Sequence, residues 1–80
     1  MYYVYLLRSL TNPEKTYIGY TTNLKDRVKK HNEAGSIATS QDRPWKIELY
    51  LAFSKQEKAI AFERYLKFQS GRAFAKKRFW

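Results

Sequence analysis

Eighty residues leave room for one domain, read here as residues 1–80, and a chain this short buries only roughly 60% of the surface its unfolded form exposes. The absence of cysteine excludes disulfides and thiolate zinc sites, and a lone His31 excludes any multi-histidine metal site. Sixteen Lys and Arg against seven Asp and Glu leave a net charge of +9, an excess that suits a polyanionic partner such as nucleic acid better than a neutral one.

Tyr2 to Arg8 is rich in aromatic and β-branched residues, as strands are. Its apolar stretch ends at Leu7, far short of the ~20 residues a membrane-spanning helix needs. No segment resembles an export signal, so a cytoplasmic protein without membrane association is expected. Thr11-Asn12-Pro13-Glu14 supplies turn chemistry, and Thr16 to Thr21 reads as a second strand closing an antiparallel hairpin. Thr22 or Asn23 can cap a helix from Leu24 to Glu33 that stops at Gly35. Residues 35–44 are small and polar, a loop.

Trp45 to Phe53 follows as a third strand, with Ile47, Leu49, Leu51 and Phe53 expected on one face. Ser54 and Glu57 match a capping box ahead of a helix from Lys55 to about Phe68. Ser70-Gly71 should break it, leaving a short helix from Ala73 to Lys77. The order is β-β-α-β-α with a small helical tail: an α+β domain on a three-stranded antiparallel sheet. No acidic residue follows Glu63, whereas Arg64, Lys67, Arg72, Lys76, Lys77 and Arg78 do, interleaved with Tyr65, Phe68, Phe74, Phe79 and Trp80.

Polar residues fall where the core should be. Leu24 and Val28 define the buried stripe of the first helix, and completing it at helical spacing brings in Arg27 and His31. Ala59, Phe62 and Leu66 define the stripe of the next long helix, with Glu63 among them. An ionised group there costs several kcal/mol unless it is paired, hydrogen-bonded or bound to a metal. An internal Arg27–Glu63 ion pair is one way to meet that cost; a polar site is the other. Tyr5 and Tyr17 lie on adjacent hairpin strands at an even separation, so both phenols can share a face.

These groups suit phosphodiester hydrolysis. A carboxylate binds Mg²⁺ through one or two oxygens, an arginine complements phosphoryl charge, and a base takes a proton from the attacking water. A phenol, with an ordinary pKa of ~10, needs a nearby cation to serve as that base. With no second carboxylate cluster, one ion is expected rather than two.

Tyr3-Val4-Tyr5 followed by Tyr17-Ile18-Gly19 resembles the two strand motifs of the GIY-YIG nuclease superfamily, with Arg27, His31 and Glu63 at fitting positions after them. The resemblance spans nearly the whole chain. It extends to the small free-standing bacterial members related to the N-terminal domain of UvrC, a component of the ABC excinuclease. It implies a Mg²⁺- or Mn²⁺-dependent endonuclease with one active site, acting on DNA rather than RNA. Tyr5 would be the general base, with Tyr17 orienting the water. Arg27 would hold the scissile phosphate, His31 would assist proton movement and Glu63 would bind the metal. Lys30, Arg72, Lys76 and Lys77 would contact the nucleic acid. Tyr3 stands where the first motif has its glycine, and no asparagine follows the glutamate helix, where Gln69 and Ser70 stand instead. The alternative is a nucleic-acid-binding module that uses this fold without cutting.

Overall fold

The computed structural model describes residues 1–33 and 41–80. Its elements are β1 (Tyr2–Ser9), β2 (Thr16–Thr21), α1 (Leu24–Asn32), β3 (Trp45–Phe53), α2 (Gln56–Lys67) and α3 (Gln69–Arg78). The strands form one antiparallel sheet in the order β2-β1-β3, which is the expected α+β arrangement. The expected loop at 35–44, with its helix-stopping Gly35, lies largely outside the described residues. Among those described, no helix is long and apolar enough to cross a membrane.

The central strand is the most apolar because it is covered on both faces. Val4, Tyr5, Leu6 and Leu7 are all fully buried. Val4 and Leu6 pack with Ala59, Leu66 and Ala75 of the α2–α3 layer. Tyr5 and Leu7 face the other way, onto Trp45, Tyr17 and the α1 residues Leu24 and Val28. The sheet thus separates two small apolar clusters, and both motif tyrosines belong to the α1 side.

The third strand departs from simple alternation. Leu49, Leu51 and Phe53 oppose Leu6, Val4 and Tyr2, but the register shifts between Leu6 and Leu7, so that Leu7 opposes Ile47. Glu48 is the extra residue of this bulge, and one extra residue exchanges the faces of everything beyond it. Ile47 therefore does not share the face of Leu49; it lies on the α1 side with Trp45. Glu48 accepts a hydrogen bond from Arg8 Nε at 2.7 Å, and that guanidinium holds its carboxyl below the usual carboxylate range.

The helix ends show which local signals are used. Asn23 is the cap of α1: its Oδ1 accepts from the Asp26 backbone N–H at 3.2 Å, and its Nδ2 donates to the Asp26 carboxylate at 3.0 Å. The Ser54–Glu57 capping box does not form, because α2 is capped at Lys55 with no side-chain bond. The break between α2 and α3 falls at Phe68, whose backbone is extended, rather than at Ser70-Gly71. Gly71 sits buried inside α3 because a Cβ there would collide with the Tyr65 carbonyl oxygen. The glycine serves close helix packing, not helix termination.

Candidate active site

The hairpin register brings the tyrosines together. Tyr5 opposes Gly19 and Leu7 opposes Tyr17, so Tyr5 and Tyr17 are diagonal neighbours on the α1 face, with ring centroids 6.2 Å apart. A Cβ on residue 19 would strike the Tyr5 ring, at 2.9 Å from Cε1 and closer still to the hydroxyl end. Gly19 is therefore what lets the Tyr5 phenol lie across the neighbouring strand. From the far side α1 delivers His31, whose ring centroid is 4.8 Å from that of Tyr17 and 5.7 Å from that of Tyr5.

Tyr5 Oη and His31 Nε2 are 2.9 Å apart in a bond that is wholly buried. Burial, followed by the neighbouring Tyr17 phenol, pushes the Tyr5 pKa up to about 12, although Arg27 opposes this by charge and by hydrogen bonding. Burial lowers the His31 pKa, and the Arg27 charge lowers it further. Tyr5 is thus a neutral phenol and His31 a neutral imidazole at neutral pH, and in the tautomer that carries its proton on Nδ1 the phenol donates and Nε2 accepts. Arg27 is itself exposed on α1, one helical turn before His31. It is a charge at the surface acting on two buried groups.

Glu63 comes from the opposite layer. It is half-buried on α2, and its Oε2 accepts from Lys67 Nζ at 2.5 Å, so the internal partner is the lysine one turn later and not Arg27. Lys67 Nζ also lies 5.9 Å from the centroid of the Tyr17 ring. Tyr17 belongs to the α1 face and Lys67 to the α2 layer, so this contact is made around the free edge of β2. The Glu63 charge is near enough to add to the upward pressure on the Tyr5 pKa. The five residues singled out in the sequence therefore form one neighbourhood at the β2 edge. Lys67, which links its two halves, is not among them, and only its position four residues after Glu63 could have suggested it.

The basic residues divide by element. Arg72 and Lys76 of α3 line a hollow together with Tyr17 and Lys67. Lys77 is exposed on α3, and Lys30 is exposed on α1. Asn32, the last asparagine of the chain, is taken up structurally: its amide bridges the Trp45 backbone, donating to the carbonyl at 3.1 Å and accepting from the N–H.

Residues 1–78 match the family described as the GIY-YIG catalytic domain. The chain belongs to the GIY-YIG family. It is 41% identical over 66 residues to the structure-specific endonuclease subunit SLX1 of Mycosarcoma maydis, covering 78% of this chain and 10% of that protein. The protein of the same name from Candida dubliniensis is 37% identical over 73 residues, covering 82% of this chain and 26% of that protein. The chain thus spans about a tenth to a quarter of the length of these curated relatives. Among solved structures, the solution NMR structure of the UPF0213 protein BH0048 from Bacillus halodurans superposes with a TM-score of 0.56 at 32% identity, covering 95% of this chain and 81% of that one. The two segments that resemble the family's strand motifs, Tyr3-Val4-Tyr5 and Tyr17-Ile18-Gly19, lie in β1 and β2 of this GIY-YIG domain.

Proposed function

We propose that this GIY-YIG domain is a metal-dependent endonuclease hydrolysing phosphodiester bonds of nucleic acid, DNA in preference to RNA, at one site made by Tyr5, Tyr17, Arg27, His31 and Glu63. The observation that carries the reading is the buried Tyr5–His31 hydrogen bond set beside Arg27, with the Glu63 charge felt at the same phenol.

Chemically, a phenol raised to about 12 is not a resident phenolate at neutral pH. Tyr5 instead takes a proton from the attacking water as its own proton passes to His31 Nε2, leaving an imidazolium and no charge on the phenol. Tyr17, partly exposed at the rim, orients that water. Arg27 binds the scissile phosphate and complements the charge gathering on its oxygens. Arg27 is exposed and its charge acts on the buried phenol, so a phosphate bound by Arg27 changes the electrostatics at Tyr5.

The donor set fits a divalent ion of one kind. Glu63 is the only acid among the five residues of the proposed site, and among the described residues no three His, Cys, Asp or Glu side chains gather. One carboxylate suits a hard ion that keeps most of its waters, Mg²⁺ or Mn²⁺. Glu63 would hold it, releasing Lys67, and the bound ion supplies positive charge to the phosphoryl and leaving oxygens. Lys30, Arg72, Lys76 and Lys77 contribute phosphate contacts that position the strand.

The full burial of Tyr5 favours a second reading, a binding module that does not cut. Wild type and Glu63→Gln are compared on branched, single-stranded and duplex DNA and RNA with Mg²⁺ or Mn²⁺, with binding measured alongside. Cleavage by the wild type, abolished by chelation and by Glu63→Gln, supports the nuclease. Binding by both proteins with no cleavage by either leaves only the module.

A further inference from the structure

A hollow of about 550 Å³ opens beside the site, between the free edge of β2 and the α2–α3 pair. That volume falls within the roughly 300–1,000 Å³ typical of sites for single small ligands. Its floor is apolar, formed by Ile18, Leu66 and Ala75, and Trp80 closes one end. The indole is held in place by the Arg8 guanidinium, 5.2 Å from the ring centroid. Over the floor stand Arg72 and Lys76, one helical turn apart on α3.

The charges around the hollow are not equivalent. Arg8 is committed to Glu48 and Lys67 to Glu63. Among the described residues, Arg72 and Lys76 have no ion-pair partner, although Glu14 also lies on the lining. Two uncommitted cations above an apolar floor are matched by a ligand that is anionic at one end and flat and apolar at the other. A duplex presents only its phosphates to such a surface, since its bases remain in the stack, and the floor would then be left without an occupant. An unpaired nucleotide presents both parts, the base to the floor and the phosphate to the cations.

We infer that the hollow receives one unpaired nucleotide of the substrate strand, so that this domain engages nucleic acid where an unpaired base adjoins the position to be cut. The placement follows from Tyr17, which lines the hollow on one side and contacts Tyr5 and His31 on the other. The inference rests on the nucleic-acid reading proposed above and adds to it which structural feature of the substrate is recognised and by which residues.

The test measures binding with chelator present, so that no cleavage intervenes. Two DNAs of equal length are compared, a perfect duplex and one carrying a single unpaired 2-aminopurine. Wild type is expected to prefer the unpaired form by about tenfold, the scale of one base stacked on a protein surface, with a change in 2-aminopurine emission on binding. Thr16 is an exposed wall residue of the hollow, and Thr16→Trp fills the space without removing a charge. That variant should keep its duplex affinity and lose the preference, whereas Arg72→Ala with Lys76→Ala should weaken binding to the unpaired form most. Circular dichroism checks that each variant is folded. Equal binding of both DNAs by the wild type, or a preference that survives Thr16→Trp, overturns the subsite while leaving the nucleic-acid reading intact. Failure to bind either DNA overturns both.

Discussion

Tyr5 and Gly19 face each other across β1 and β2, and the Tyr5 phenol occupies the space a side chain on residue 19 would need. Gly19→Ala should displace the ring rather than the strand, because the obstruction is a side chain and the backbone is held by the ladder. The ring cannot move far without losing its 2.9 Å bond to His31. Overpacking of this kind costs about 1–3 kcal/mol. Urea denaturation should show a loss of that size, and cleavage should fall further than stability alone explains. Unchanged stability and activity would mean that the phenol has another place to lie.

The same phenol should be visible in an alkaline titration. With its pKa raised to about 12 it ionises later than a free tyrosine, whose value is ~10. The folded-state value lies above the unfolded one of ~10, so its contribution to stability is complete below that pH and is lost as pH rises towards the folded value. The ultraviolet phenolate band should show a late step that Tyr5→Phe removes. A Tyr5→Phe protein whose titration overlays the wild type would contradict the burial argument.

His31 makes the opposite prediction on the acid side. Its folded pKa is depressed below ~6.5 by burial and by Arg27, so the unfolded chain binds the proton first. Stability from this group is complete above the unfolded value and declines as pH falls below it towards the folded value. Between neutrality and mild acid, Tm should therefore drop more in the wild type than in His31→Gln, which has no proton to gain. Glu48 drops out of this comparison because its carboxyl, held low by Arg8, titrates in a more acid range. Equal Tm slopes in the two proteins would show that the imidazole is not held neutral by its surroundings.

What can be read from the chain depends on whether the signal is periodic or relational. The hairpin, the capped first helix and the polar residues on helix stripes are periodic features, and Arg27, His31 and Glu63 stand out because they interrupt an apolar line. The bulge at Glu48 is relational: nothing in Trp45–Phe53 marks one residue as extra until β1 is laid beside it. The cap of α2 is a similar case, since Ser54 and Glu57 have the right spacing but the chain enters the helix one residue later. Helical phase offers Arg27 as an internal partner for Glu63, whereas the nearer Lys67 on the same helix takes that place. Local geometry is inherited from spacing, but the choice between competing partners is made only once the layers are stacked.

Gly71 illustrates how one residue type carries two meanings. Following Ser70 it looks like a helix stop, yet it lies within α3, buried, with the Tyr65 carbonyl oxygen where its Cβ would be and the Leu66 Cα only 2.9 Å from that point. Both obstacles are backbone of α2, which cannot swing aside as a side chain could. On helix propensity alone Gly71→Ala should stabilise α3 by roughly 1 kcal/mol. The collision reverses the sign, because relief requires α3 to lift from α2 and expose Ala75 and the floor of the hollow. Thermal unfolding should therefore show a lower Tm for Gly71→Ala, while Ala73→Gly, at an exposed position of the same helix, should cost only the propensity difference. A rise in Tm for Gly71→Ala would mean that the two helices are not packed closely at this point. The placement of Arg72 and Lys76 beside Tyr17 would then need another origin.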